Sequence, residues 1–376
     1  MSEVRPQMDP YIPERLPLTD KLIDWAAHVR LIGKANAALA RYDGILQGIV
    51  NPQVLLSPLM TQEAVVSSRI EGTITSMEEV LRFDLGSPMG VSTRKRDELQ
   101  EVVNYRQAVR TAVDDMDKRP MCVNLILDLH RILLSGSVRG QESTPGTIRR
   151  TQNYIGSPGT PIEKAVFIPP APSGVLPALY DWEKYVHVEE RDALVQLAVL
   201  KAQFELIHPF CDGNGRIGRM LVPLVMYNKE LLSSPMFYIS GYLDRNRDAY
   251  FDCLNSISRK GEWNEWIAFF LTAVMEQAQE NSRKARAIIS LYNVMKLRIP
   301  EVTHSQFAVH ALDAIFDRPI FTSSVFIDRS GIPRSTALRI LKLLVDSNVI
   351  VVAREQAGRS PALLCFHSLL EIAEGL

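Results

Sequence analysis

Apolar residues along most of this chain recur at helical spacing. From Leu22 to Leu46, in LIDWAAHVRLIGKANAALARYDGIL, they return every three or four positions, which predicts a helix with caps offered by Leu18-Thr19-Asp20. The proline-rich residues 1–20 read as extended. Asn51-Pro52 and Ser57-Pro58 punctuate the pattern, and MTQEAVVSSRIEG then reads as a helix stopped by Gly72. A polar stretch over 84–92 separates it from a long helix around 95–117, and Asn124–Leu134 reads as another helix. Beyond it the period changes. Gln152–Ile155 and Ala165–Ile168 are β-prone runs on either side of a Gly/Pro-rich tip, predicting a hairpin with a long loop.

Helical spacing resumes over Ala178–His187, Asp192–Ile207, Arg216–Glu230, Asp248–Ile257 and Trp263–Leu297, and Pro300 is expected to close the last run. The remaining segment reads helix (Ser305–Phe316), helix (Ser323–Arg329), Gly331-Ile332-Pro333, helix (Arg334–Asp346), then VIVVA and ALLCF around a Gly358/Pro361 turn. Helix, turn, helix and a two-stranded wing make a winged-helix pattern. The expected fold is therefore mainly α, with one β-hairpin and a C-terminal winged-helix domain. Its expected parts are an N-terminal helical region (1–110), a helical core (111–275), a connecting helix (276–300) and a winged helix-turn-helix domain (301–376). No repeat of 20–50 residues and no low-complexity tract interrupts this plan.

Composition excludes several classes. With 376 residues, 46% hydrophobic and 23% charged, the chain is long and apolar enough for two or three cored domains, neither disordered nor collagen-like. Lys and Arg number 42 against 43 Asp and Glu, so no global field recruits nucleic acid or an anionic membrane, and such binding would need a local patch. Cys122, Cys211, Cys253 and Cys365 form no CxxC pair, which argues against a disulfide scaffold or zinc knuckle and for a reducing, cytoplasmic location. The N-terminus lacks the apolar run of a signal peptide, and no run approaches the roughly 18 apolar residues of a membrane span.

The chemistry concentrates in HPFCDGNGRIGR, from His208 to Arg219. Pro209 disfavours α conformation at His208 and so terminates the preceding helix there, leaving an imidazole suited to act as a base at its mouth. Gly213-Asn214-Gly215 can turn backbone N–H groups toward one point at the start of the next helix, an anion nest suited to phosphate. Arg216 and Arg219, three apart, would share a helix face and grip further phosphate oxygens. Asp212 among these cations suits a Mg²⁺ bridging phosphates. No P-loop, HExxH or GxSxG pattern competes, and the other six histidines are scattered. Asp114-Asp115 and Glu189-Glu190 read as solvated helix faces.

The segment HPFCDGNGRIGR resembles the signature of the Fic/DOC family, HPFx[D/E]GNGRxxR, at every defined position, and PGTIRRTQNYIG…AVFIPP over 145–170 is similar to that family's flap region. The resemblance implies that 111–275 is a Fic core transferring AMP from ATP to a protein hydroxyl with release of pyrophosphate. His208 would deprotonate a Ser, Thr or Tyr hydroxyl. Asp212 would bind Mg²⁺, Asn214 with the Gly213 and Gly215 backbone would hold α- and β-phosphates, and Arg216 and Arg219 would neutralise the polyphosphate. Phe210 would anchor the loop, and the flap would align an extended piece of the target by strand addition.

SSRIEG at 67–72 resembles the family's inhibitory motif, [S/T]xxxE[G/N], with Ser67, Glu71 and Gly72 in place. Glu71 at its helix end would take the guanidinium of Arg219, a charge-assisted contact worth on the order of 1.5–3 kcal/mol. The family also implies a reverse activity, removal of AMP supported by the same glutamate and a metal.

In 329–359, Arg329, Arg334, Arg339, Lys342, Arg354 and Arg359 outnumber Asp346 and Glu355, so Arg334, Ser335, Thr336 and Arg339 are candidates for DNA contact, with Leu338, Leu341, Leu344 and Val345 as the core face. Tyr242, Asn246 and Tyr250 could line an adenosine or be ordinary helix residues, and Trp263 and Trp266 read as core. The leading expectation is a restrained adenylyltransferase acting on a target protein, and the rival is a nucleotide-sensing DNA-binding regulator. A homodimer is compatible with either, though no sequence feature specifies one.

Overall fold

The computed structural model describes residues 9–375 other than 50, 87–91, 117, 137, 139–143, 157, 158, 160 and 357–360, with Gln53 by its backbone alone. The chain opens with α1 (Trp25–Gln47), α2 (Pro52–Leu55), α3 (Ser57–Ile70), α4 (Met77–Phe83), α5 (Thr93–Met116) and α6 (Val123–Leu133). After a looped stretch come α7 (Pro172–Val186), α8 (Ala193–Ile207), α9 (Asn214–Asn228), α10 (Ser240–Arg245), α11 (Arg247–Lys260) and α12 (Trp263–Thr303). The last part holds α13 (Ala308–Asp317), β1 (Ile320–Phe321), α14 (Ser323–Ser330), α15 (Arg334–Asp346), β2 (Val351–Arg354), β3 (Leu363–Cys365) and α16 (His367–Glu374).

Helix α8 is the axis of the molecule. Its sequence, ALVQLAVLKAQFELI, is apolar on every side, and helices of that kind are buried all round. Helices α7, α9, α12, α1 and α11 pack about it. Trp182 donates to the Leu200 carbonyl at 2.8 Å and Trp266 to the Ala198 carbonyl at 2.7 Å, so two of the bulkiest core side chains satisfy their N–H groups on this helix. Asp192 caps the start of α8 by accepting from the Leu194 and Val195 N–H groups, and His208 ends it in left-handed geometry (φ 48°, ψ 61°). One helix thus fixes where the histidine emerges.

Several elements differ from the sequence expectation. The first helix is capped by Asp24, which accepts from the Ala27 N–H at 3.0 Å, rather than by Leu18-Thr19-Asp20. The expected hairpin is one antiparallel bridge, Ile155 to Phe167, among the described residues; its tip positions 157, 158 and 160 lie outside them. A 3₁₀ turn (Ile162–Lys164) and Pro169-Pro170 limit the donors on the second run, while Tyr11 donates to the Ile168 carbonyl from the N-terminal segment. Pro300 does not close its helix. It is exposed in the final turn, where losing one i→i−4 bond is tolerated, and α12 continues to Thr303, with His304 (φ 45°) donating back to the Pro300 carbonyl.

Helix α5 runs through residue 110 and α12 through residues 275 and 300, so the parts of the chain join along continuous helices. The last part carries a three-stranded antiparallel sheet in the order β1-β3-β2, with Ile320 opposite Cys365 and Val352 opposite Leu364. β1 and α16 were not legible beforehand, and the expected wing turn at Gly358 lies outside the described residues. Helix α16 folds back against α3 and α12. On α15 the core face is Ala337, Ile340, Leu341 and Leu344, whereas Leu338 is 42% exposed, contrary to expectation.

Candidate active site

The loop between α8 and α9 is stapled from inside. Asn214 Oδ1 accepts from the Phe210 N–H and Asn214 Nδ2 donates to the Phe210 carbonyl, both at 2.8 Å, closing a tight ring across the loop. The Asn214 amide is buried and spent on the loop itself. Phe210 is fully buried and stacks on His130, centroids 3.7 Å apart and planes 6° from parallel. His130 Nδ1 accepts from the Gly146 N–H at 2.9 Å, which leaves Nε2 carrying the proton it donates to the Asp212 carbonyl at 3.0 Å. Burial pushes this imidazole down to about 4, so it stays neutral and holds that tautomer.

Gly213 caps α9 with φ +83°, and a Cβ there would come within 3.3 Å of Leu133 and 3.4 Å of the His130 ring. The left-handed backbone favours glycine here, and a Cβ would crowd both side chains. The first N–H groups of α9, from Asn214 onward, have no intrahelical partner by helix geometry and point to the loop's mouth. The helix starts at Asn214, two residues before the expected Arg216.

His208 is half-buried, and its Nδ1 donates to the Glu205 carbonyl at 3.3 Å. A carbonyl only accepts, so Nδ1 carries the hydrogen and Nε2 is the basic nitrogen. Burial lowers its pKa below histidine's ordinary value against the opposing pull of Glu205, which keeps the ring neutral at neutral pH. Arg149 locks the position from the far side: Nε donates to the His208 carbonyl at 2.9 Å, a terminal nitrogen donates to the Pro170 carbonyl, and its backbone N–H donates to the Pro209 carbonyl. One buried arginine thus ties the 149–170 segment to the histidine loop.

The two arginines of α9 part company. Arg216 is wholly buried and donates to Glu101 of α5 at 3.0 Å and to Asp212 Oδ1 at 3.2 Å. It does not share an open face with Arg219, as their spacing implies, because its guanidinium turns inward to a carboxylate buried as deeply as itself. Arg219 instead meets α3: Nε donates to Ser67 Oγ at 2.8 Å, Nη2 to the Ser67 carbonyl at 2.9 Å and to Glu71 Oε1 at 2.7 Å. Burial works against the Glu71 charge, but Arg219, aided by Arg216 and His208, more than offsets it and holds the carboxyl below the usual carboxylate range. Gly72, at φ +91°, ends the helix just after it. Glu71 lies so close over Gly215 that a Cβ there would sit 2.3 Å from Oε1.

The sequence-derived residues His208, Asp212, Gly213, Gly215, Arg219, Ser67 and Glu71 therefore converge. Tyr250, by contrast, belongs to the core, its hydroxyl 3.1 Å from the buried Lys201 ammonium, and Tyr242 packs edge-on against Phe269. Glu101, His130 and Arg149 were missed. His130 did carry a local signal, since it lies on the apolar stripe of α6 beside Leu129 and Leu133. Among the described residues no three His, Cys, Asp or Glu side chains cluster as a metal site, and no helix is long and apolar enough to cross a membrane.

Comparison with known proteins agrees with this geometry. Residues 29–114 match the Fic/DOC family N-terminal domain and residues 120–226 the Fic/DOC family domain, together just over half of the chain. The chain is 31% identical over 163 residues to a protein adenylyltransferase fic-1 of Caenorhabditis briggsae, covering 42% of this chain and 30% of that protein. It is 32% identical over 158 residues to a protein adenylyltransferase Fic of Drosophila grimshawi, covering 41% of this chain and 30% of that protein. The match thus spans under a third of those relatives' length. In fold it is similar to the crystal structure of a Fic family protein from Desulfovibrio desulfuricans, with TM-score 0.58, 20% identity and coverage of 95% of this chain and 98% of that one. With the signature loop, its buried staples and both domain matches in register, this chain belongs to the Fic/DOC family.

Proposed function

We propose that the protein transfers AMP from ATP to a Ser, Thr or Tyr hydroxyl of a target protein or of itself, and that Glu71 restrains this activity. The observation that carries the reading is the convergence, at the N-terminus of α9, of a neutral histidine and an arginine held by a displaceable carboxylate. His208 Nε2 takes the hydroxyl proton as the hydroxyl oxygen attacks the α-phosphorus. The bond from that phosphorus to the oxygen bridging to the β-phosphate breaks, and pyrophosphate leaves. The free N–H groups of α9 stabilise the oxygens on which charge develops.

Arg216, sealed against Glu101, shapes the nest without touching the ligand, so Arg219 is the cation that a polyphosphate would engage. Glu71 must leave before it can. Asp212 fits a role as the single protein ligand of a Mg²⁺: its carboxylate is about one-third exposed, and among the described residues Oδ1 alone is engaged, by the Gly213 N–H and Arg216. Magnesium usually takes one or two carboxylates and completes its shell with water and substrate phosphates, whose charge it neutralises.

The test is the intact mass of Glu71→Gly incubated with ATP and Mg²⁺. A gain of ~329 Da, the AMP increment when pyrophosphate is expelled, is expected and should vanish in Glu71→Gly/His208→Ala. ATP binding with no such adduct in any form would contradict the reading.

A second reading, DNA contact through the winged-helix arrangement of the last part, is favoured by the exposure of Arg334, Ser335 and Lys342 along α15. Arg339 is partly committed elsewhere, donating to the Thr303 carbonyl at 3.2 Å. Binding of a fluorescent duplex that weakens steeply with salt would support it, and binding indifferent to salt would contradict it.

A further inference from the structure

Away from the active site, charge is unevenly spread along two helices. From Trp25 to Tyr42, α1 carries Arg30, Lys34 and Arg41 and no Asp or Glu. From Asn281 to Pro300, α12 carries Arg283, Lys284, Arg286, Lys296 and Arg298, again with no acid. The whole chain is balanced at a net charge of −1, so these are local excesses of the kind that attract a polyanion. Arg30, Lys34 and Arg41 follow at helical spacing, which places them along one side of α1. With Met275 and Gln279 of α12 they line an open groove of about 620 Å³. All three cations are exposed, and among the described residues none has an ion-pair or hydrogen-bond partner.

Among the described residues no carboxylate lines this groove. Asp24 caps α1, Asp43 accepts from Ser233 and Gln47, and Asp192 of α8 accepts from Asn36. The acids of α12 stand on other sides of that helix. Glu265 lies toward Cys253 and Glu276 toward Tyr242, while Glu280 lines the cavity between α12 and α3 and is tied to Arg283. The lining therefore selects negative charge. Its shape selects an extended ligand, since Arg30 and Arg41 are roughly 16 Å apart along the helix axis, farther than one phosphate reaches. Arg286, two turns beyond Gln279, continues the same exposed face along α12.

Extended polyanions differ in what else they require. An anionic membrane takes up an apolar face, a protein partner is anchored by aromatic side chains, and a single nucleic-acid strand stacks its bases on aromatic rings. No aromatic side chain lines this groove. Gly33 and Ala37 leave its floor bare between the cations, and a Cβ on Gly33 would meet nothing within 4 Å. A duplex asks only for charge, because its phosphates run along the outside at about 3.4 Å per phosphate on each strand. Helix α15, which is joined to the end of α12 through Arg298 and Arg339, also exposes Arg334, Ser335 and Lys342. We infer that the groove between α1 and α12 holds the phosphate backbone of a DNA duplex, by charge and without reading its sequence. Neither AMP transfer nor DNA contact through α15 is required for this.

The experiment measures binding of the full chain to a fluorescent DNA duplex of roughly 30 base pairs over a series of salt concentrations. The wild type should bind, with log K falling linearly against log salt. Arg30→Gln/Lys34→Gln/Arg41→Gln should reduce the magnitude of that slope by about 2–3, at about 0.9 per lost phosphate contact, and weaken binding about 10- to 100-fold on unrelated sequences alike. Its urea unfolding should match wild type, because all three side chains are exposed and unpartnered. Arg30→Lys/Arg41→Lys should keep the slope, since a point charge suffices. Lys118→Gln/Lys164→Gln/Lys260→Gln removes the same charge from exposed positions elsewhere and should leave the slope within about 1 of wild type. Arg334→Gln/Lys342→Gln reads the contribution of α15 separately. Absence of wild-type binding at low salt, an unchanged slope in the α1 variant, or an equal effect of the three-lysine control would overturn the inference. So would polyglutamate or anionic vesicles that compete as well as unlabelled duplex.

Discussion

Two arginines three residues apart on α9 meet opposite fates, and the contrast separates what builds the site from what governs it. Arg216 and Glu101 are both essentially inaccessible, at 0% and 1% side-chain exposure, so removing either takes from the other its fully buried counter-charge. Arg219 is just as buried, but its partner Glu71 is 34% exposed and stands at a helix end before a left-handed glycine. Such a carboxylate can withdraw into solvent at modest cost. The inner pair is architecture, and the outer pair is the latch of the proposed function.

The perturbation of largest expected effect asks whether the outer face has chemistry to restrain. His208→Ala in a Glu71→Gly background should reduce AMP incorporation by about 10²–10⁴-fold, the usual range for a lost general base, measured by transfer from ATP labelled on the α-phosphate. Next comes the inner pair. Glu101→Leu should destabilise the fold by about 3–5 kcal/mol in urea unfolding, because Arg216 keeps its charge and loses its main partner. Equal stability of Glu101→Leu and wild type would erase the distinction between the two arginines.

The outer pair should behave in the opposite sense. Discounted for the exposure of Glu71, its contact is worth about 1–2 kcal/mol, so Glu71→Gly should raise transfer roughly 5- to 30-fold. Acid sharpens the point with a smaller effect. Glu71 titrates below the usual carboxylate value in the seated state, so the latch is fully formed above that value and is lost as pH falls through the lowered one. His208 is also lowered by burial and stays basic as pH drops past about 6.5, so the acid limb of the pH profile of Glu71→Gly should lie below that value. An acid limb above 6.5 would contradict the burial seen here.

The split between the two pairs also explains what the amino-acid sequence disclosed. His208–Arg219 was legible because its chemistry is local: Pro209 forces the helix to end, and the glycines form the nest within a few residues. Glu71 was legible through its short motif and its glycine stop. Glu101 was not, since it lies in a polar run of α5 like any solvated face, and only the fold brings it to Arg216 across 115 positions. Arg149 was hidden for the same reason, its partners being carbonyls at His208 and Pro170. Spacing placed Arg216 and Arg219 on one face correctly for their backbones but could not foresee that a long guanidinium would turn inward. The ring that the Asn214 side chain closes on Phe210 was hidden, because a side chain that braces its own loop has no signature in spacing. In the fold, Pro300 defeated a local rule because an exposed last turn tolerates the lost bond. The two-residue β1 is too short to carry a pattern, and it forms only because β3 offers it an edge.

The latch is tested most directly by initial rates of label transfer from ATP labelled on the α-phosphate, taken side by side for wild type and Glu71→Gly, with urea unfolding of both. A rate roughly 5- to 30-fold higher in Glu71→Gly, with a loss of stability no larger than about 2 kcal/mol, is the expected result. Equal rates with ATP bound in both would show that Arg219 is not restrained by Glu71.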